Sequence, residues 1–192
     1  MKIGIIGKMC SGKTTLANYI ERYMNEKYNM NFKRLTFAGK VYDLAYELFD
    51  MDRKQKNRRL LQQIGTYMRM IDENVWVNYV IKKSNDHENV FVEDCRYENE
   101  FAALVNNNFI LIKINIDEEY QHERLRMTYP ETYEQHIENS KHASERDIDN
   151  LPESECSIVL HARDNELNFV KISEFLDSYI DIYRYIKNNE LS

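Results

Sequence analysis

Eight consecutive residues, Gly7-Lys8-Met9-Cys10-Ser11-Gly12-Lys13-Thr14, satisfy GxxxxGK[ST], and the chemistry open to that pattern is the cradling of phosphate groups. They follow Lys2 to Ile6, which reads as a buried strand, and open a stretch from Thr14 to about Tyr28 that places Leu16, Ile20, Tyr23 and Met24 on one helical face. In that context Gly7 and Gly12 let the backbone turn tightly. The N–H groups of Met9, Cys10, Ser11 and their neighbours then converge with the positive helix end on a polyphosphate. Lys13 reaches the β- and γ-phosphates of ATP, the Thr14 hydroxyl coordinates Mg²⁺, and Thr15 contacts the α-phosphate. Cys10 is a small space-filler, since phosphoryl transfer needs no covalent intermediate.

A second group follows Val90-Phe91-Val92, a brief apolar run ending on Glu93-Asp94-Cys95-Arg96-Tyr97-Glu98-Asn99-Glu100. A buried parallel strand would deliver these polar groups at its C-terminal edge. Asp94 can hold Mg²⁺ through water or accept a hydrogen bond from an acceptor, and Arg96 can clamp an acceptor phosphate bidentately. Arg58 and Arg59, directly before an apolar run, also suit phosphate recognition. Neither DxxG nor NKxD is present, which argues against a GTPase. The short chain and the Asp–Arg arrangement argue against a helicase-type motor, although Glu93-Asp94 superficially resembles the acidic pair of one.

The elements that must position these residues alternate. Phe32 to Phe37, Val90 to Val92, Phe109 to Ile116 and Ile158 to Leu160 read as further strands. Helices are expected from Val41 to near Asp50, Leu60 to Met70, Asn74 to Lys83, around Phe101 to Val105, Asp117 to Met127 and Asn165 to Tyr185. Strands joined by helical crossovers imply an α/β, doubly wound parallel sheet with helices on both faces. Its ligands lie outside the C-terminal strand ends.

The 192 residues, 43% hydrophobic, suit one domain, residues 1–192. With 26 Lys+Arg against 32 Asp+Glu the net charge is −6, which disfavours a nucleic-acid partner. Cys10, Cys95 and Cys156 lack the spacing of a zinc site or a disulfide framework. No apolar run approaches the roughly 20 residues of a membrane span, so a cytoplasmic location without a membrane partner is expected.

Taken in order, Phe37-Ala38-Gly39, Asp43, Arg58 to Thr66 (RRLLQQIGT), Asp72 to Trp76-Val77 and Asp94 to Glu100 resemble the deoxynucleoside monophosphate kinases of bacteriophages and large DNA viruses. The resemblance spans about residues 3 to 180 and touches dephospho-coenzyme A kinase and phosphomevalonate kinase. It implies a five-stranded parallel sheet, ATP as donor, a small nucleotide as acceptor and, for a virus, the host cytoplasm; homodimerisation stays open. It also implies an acceptor-binding helical insertion at about 38–84. There Arg59 and Gln62 lie on an acceptor helix, Gly65 permits close approach, Trp76 walls or stacks near the base, and Asp94 and Arg96 face the acceptor; by residue type alone Trp76 reads equally as an ordinary buried core aromatic. Phage relatives show a Pro and then a Lys three positions after Gly39; this chain has Lys40 and then Tyr42, so Lys40 is the candidate for that phosphate contact.

Such kinases close an arginine-bearing segment over the reacting phosphates. The candidate lid is residues 117–147, with Arg124 or Arg126 as the finger on the transferring group. His142-Ala143-Ser144-Glu145 resembles an element of the related kinases, while His136 and His142 lack a metal-ligand pattern. Residues 161–165 are expected to border adenine, where the relatives show Asn-Asp-Gly and this chain does not.

Overall fold

The computed structural model describes residues 1–140 and 143–189, with the side chains of residues 139–146 also outside the description. Five parallel strands, β1 (Lys2–Gly7), β2 (Lys33–Leu35), β3 (Val90–Cys95), β4 (Ile110–Asn115) and β5 (Ile158–His161), form one sheet in the order β2-β3-β1-β4-β5. The strand that carries the glycine-rich loop is thus central, flanked by β3 and β4. Ile3, Ile5 and Ile6 are all fully buried, because both faces of β1 are covered.

One face packs under α1 (Lys13–Tyr28) and α9 (Asn165–Asn189). Leu16, Ile20 and Met24 from the first and Ile172 and Leu176 from the second meet Ile3, Ile5, Phe91 and Ile112. The other face gathers Ile6, Val92 and Leu111 under Val77 and Val80 of α4 (Val75–Ser84) and Phe101 and Leu104 of α5 (Glu98–Asn106). Between β2 and β3 the chain makes α2 (Gly39–Phe49), α3 (Arg58–Ile71) and α4. Between β4 and β5 it makes α6 (Glu118–Thr128), α7 (Tyr133–Ser140) and α8 (Ala143–Asn150).

The expected α/β sheet is present with all five strands, and the differences are local. The second strand is shorter than expected, three residues instead of six. Helices α7 and α8 fall where a helical lid is expected, residues 117–147, with α8 running three residues past it; their separate bounds are not legible in sequence because they carry no wide apolar stripe. Helix α8 is anchored by its own Ile148 and by the chain just after it. Ile148 and Leu151 enter the core beside Ile6, Phe37 and Cys95, and the buried Lys113 donates from β4 to the Leu151 carbonyl at 3.0 Å.

Candidate active site

The glycine-rich loop leaves β1 at Gly7, where a Cβ would sit 2.8 Å from the Ile114 carbonyl oxygen and 2.5 Å from Ser11 Oγ, so only glycine fits. Cys10 at φ 60° and Gly12 at φ 102° lie in the left-handed region. Alternation of this kind turns successive N–H groups to one side, the geometry of an anion nest. Among the described residues no side chain caps α1 at Gly12, and the positive end of the helix faces the loop. Lys13 Nζ folds back on the loop and donates to the carbonyls of Gly7 at 2.6 Å and Lys8 at 2.8 Å. Thr14 and Thr15, on the first turn of α1, are exposed.

Helix α6 is docked against this loop. The buried Gln121 donates through Nε2 to the Met9 carbonyl at 2.9 Å, and Leu125, one turn later, is fully buried. Between them Arg124 reaches the cradle, and a methyl added at Gly12 would lie 3.7 Å from its Nη1. That nitrogen is buried and has no hydrogen-bond partner among the described residues. A buried cationic donor without an acceptor is costly. The arrangement therefore fits a ligand that brings anionic oxygens to the loop. Arg126 points elsewhere, with its guanidinium over the Tyr133 ring at 5.0 Å. The two candidate fingers are thereby distinguished by direction, a consequence of helical spacing that puts residues 121, 124 and 125 on the inner side of α6. Of the candidate lid, His142 lies outside the described residues, as do the side chains of Ser144 and Glu145.

Ser11 Oγ and Asn168 Oδ1, also buried without partners among the described residues, line a cavity between the loop and α9 with Gly12, Thr15, Leu160 and Asn165. Beyond it, Arg163 grips Asp117 with two hydrogen bonds of 2.9 and 3.0 Å and lies over the Tyr120 ring at 4.5 Å. The Arg163 guanidinium holds the Asp117 carboxyl at about 2, well below the usual carboxylate range. The pair ties the β5–α9 turn to the start of α6.

On the other side of β1 the register pairs Ile6 with Cys95, so the end of β3 stands level with the start of the loop. Strand alternation sends Glu93 and Asp94 to opposite faces. Glu93 meets Arg34 at 3.1 Å, in a network that Arg34 shares with Glu21. Asp94 accepts from the backbone N–H groups of Phe37 at 2.9 Å and Ala38 at 3.0 Å. Burial raises the Asp94 pKa against the opposing pull of those N–H groups and of Arg96. Asp94 is therefore a strut for the turn into α2, whatever it also does for a ligand. In Asp94→Asn the amide would oppose one of the two donors, and unfolding should show a loss of about 1–3 kcal/mol.

The acceptor-side residues divide. Arg59 and Gln62 are exposed on α3, on the side that also carries Arg69. Lys40, in the first turn of α2, lies 3.9 Å from Asp43 Oδ2. Arg96 is exposed at the end of β3. One expectation is corrected. Trp76 is only 2% exposed, and its indole N–H donates to the Gly65 carbonyl at 3.2 Å, so neither ring face is open to a base. Gly65 is buried, and a Cβ there would meet the Arg69 side chain at 3.5 Å, an ordinary contact, so packing within the fold does not itself require glycine at this position. Trp76→Phe should cost about 1 kcal/mol for the lost hydrogen bond, with acceptor KM unchanged; a raised KM would restore the pocket-wall reading.

Arg69 was missed by the sequence reading. Its guanidinium lies 4.7 Å from the Tyr97 ring centroid, donates to the Gly65 carbonyl at 3.4 Å and faces Glu100 Oε1 at 3.4 Å. The available signal was its place on the same face of α3 as Arg59 and Gln62, ten residues on from Arg59.

A central parallel strand feeding a glycine-rich nest at a helix N-terminus, with ligand groups gathered at the strand ends, defines a P-loop nucleotide-binding fold. Residues 3–146 match the AAA domain family, three quarters of the chain, and the protein belongs to that family. No curated protein matches it in sequence. Among solved structures, shikimate kinase from Bacteroides thetaiotaomicron aligns over 94% of this chain and 98% of its own, with 13% identity and a TM-score of 0.53, a likeness of fold. Shikimate kinase from Aquifex aeolicus aligns over 100% of this chain and 99% of its own at 18% identity, with a TM-score of 0.46. No helix among the described residues is long and apolar enough to cross a membrane.

Proposed function

We propose that this protein is an ATP-dependent kinase whose acceptor is a deoxynucleoside monophosphate, giving the diphosphate. The observation that carries the kinase reading is the buried Arg124 nitrogen over the Gly12 turn, without a hydrogen-bond partner among the described residues, a cation placed on the donor side of a loop that would have a second set of cations, Arg59, Arg69 and Arg96, on its acceptor side. A switch or motor has no need of that second set. Within the kinase reading, the nucleotide acceptor is supported by the RRLLQQIGT and Asp94-to-Glu100 segments, which resemble those of viral deoxynucleoside monophosphate kinases.

On this reading the loop amides and Lys13 bind the β- and γ-phosphates, and Lys13 exchanges its two carbonyl partners for phosphate oxygens. Thr14 and, through water, Asp94 would hold Mg²⁺; the carboxylate oxygens of Asp94 keep lone pairs beyond the one each gives to a backbone N–H. The ion would neutralise charge developing on the transferring group. Arg124 stabilises the same charge from α6, while Gln121 fixes that helix on the loop. Arg59, Gln62 and Arg96 orient the acceptor, with Lys40 at the edge. The segment from α6 to α8 acts as the lid, tied to the loop by Gln121 of α6 and by the ion pair of Asp149 of α8 with Lys8.

Incubation with ATP, Mg²⁺ and a panel of deoxy- and ribonucleoside monophosphates should yield a diphosphate from at least one of them. The same panel extended to dephospho-coenzyme A and shikimate tests another small-molecule kinase of this fold, the alternative that the likeness to shikimate kinase favours. ATP hydrolysis without any transferred product would point instead to a switch.

A further inference from the structure

We propose that Glu100 is a positioning residue that holds the Arg69 guanidinium beside the Arg96–Tyr97 backbone at the end of β3, where Arg69 receives an anionic group of the acceptor. The assignment of that anion to an acceptor rests on the kinase reading above.

The carboxylate divides its two oxygens between two elements. Oε2 accepts from the backbone N–H groups of Arg96 at 2.8 Å and Tyr97 at 3.2 Å, while Oε1 faces Arg69 Nη2 at 3.4 Å. Glu100 is 2% exposed, and a carboxylate so buried is retained at a cost unless it organises its surroundings. Arg69 is 31% exposed through its side chain. A guanidinium has five N–H donors, and the two hydrogen bonds that Arg69 makes to Gly65 and Glu100 are both long, at 3.4 Å. It is thus oriented without being saturated. One residue on α5 in this way couples helix α3, which carries Arg59 and Gln62, to the strand end that carries Arg96.

The charged and titratable groups facing Glu100 are Arg69 from α3, Asp94 and Cys95 from β3, and Arg96 and Tyr97 from the turn. Burial pushes its pKa up to about 7; the N–H of Arg96 opposes this, the Asp94 charge adds to it, and the Tyr97 N–H and Arg69 oppose it. The sign follows. Below about pH 7 the carboxyl is protonated and its attraction for Arg69 is lost; above it the pair is intact. Acceptor KM should therefore fall as pH rises through neutrality. Stability moves the other way, because a carboxyl whose pKa is higher in the fold than in the unfolded chain makes the fold less stable as pH rises from the ordinary value toward 7.

Glu100→Gln separates the two oxygens. Its amide oxygen can keep both backbone donors, while its NH₂ group opposes the guanidinium. Wild type, Glu100→Gln and Arg69→Met should be assayed with the same acceptor between about pH 6 and pH 8. The expected result is an acceptor KM raised about tenfold in both variants at the upper pH, with kcat and ATP KM within about twofold. In Glu100→Gln the pH dependence of KM should shrink to that of the acceptor's own ionisation, and the melting temperature at the upper pH should be no lower than that of wild type. An unchanged KM, or a joint loss of kcat, both KM values and stability, would overturn the proposal. A titration of the Glu100 carboxyl by carbon NMR is independent of any substrate. Its midpoint should rise in Arg69→Met, and an unmoved midpoint overturns the pairing. If wild type turns over no acceptor, the kinase reading fails while this titration still decides whether Glu100 holds Arg69.

Discussion

Lys13→Ala should lower turnover by about 10³-fold or more, the scale of removing a preorganised charge from a developing phosphoryl transition state. The side chain already sits inside the cradle, 2.6 and 2.8 Å from two loop carbonyls, so a phosphate replaces intramolecular partners and not bulk water. The ammonium is thereby held where it will be needed, with little reorganisation left to make. Because those carbonyls can turn to solvent in the variant, the stability loss should stay within about 1–2 kcal/mol. Steady-state kinetics with a parallel thermal melt checks both. Turnover near wild type in a folded variant would remove the cradle from the reaction.

Arg124→Ala is expected to show an unusual pair of effects. Its kcat should fall about 10²- to 10³-fold, while the free protein becomes as stable as wild type or more so. The reason is the buried Nη1, which has no acceptor among the described residues and so burdens the fold until a ligand supplies one. Few substitutions of a half-buried arginine would be harmless to stability, which makes the combination diagnostic. Arg126→Ala should leave kcat within about threefold, since Arg126 faces Tyr133. Equal losses in the two variants would place both arginines over the reacting group.

The sequence reading and the structure part company for identifiable reasons. The Gly7-to-Thr14 loop was legible because its requirements are local, a strand before it, a helix after it and glycine where a Cβ would strike Ile114. Strands β1, β3 and β4 were legible because central parallel strands buried on both faces are continuous apolar runs. The bounds of α7 and α8 inside the expected helical lid were not, since α8 is fixed by Ile148 in the core and by the chain just after it, where the Leu151 carbonyl accepts from Lys113 across 38 residues.

The side-chain roles at the acceptor end were legible only as a set of names. Trp76 reads in sequence either as core or as a base wall, and its bond to the Gly65 carbonyl chose the core. Glu93-Asp94 reads as an acidic pair, yet strand alternation gives one carboxylate to Arg34 and the other to the Phe37–Ala38 turn. Arg69 went unnoticed because nothing in a linear string reports that Glu100 lies beside it.

What residue order alone determined, then, is the nucleotide-binding loop, the parallel α/β sheet and the strand end at which an acceptor would sit, because each depends on residues within one element or its flanks. Tertiary structure alone decided which of two arginines faces the loop, which carboxylates are struts, and that Arg69 lies beside Glu100 and Tyr97 at the end of β3. Those are directions of side chains across elements distant in sequence, and they are set by packing and strand register, which no local pattern encodes.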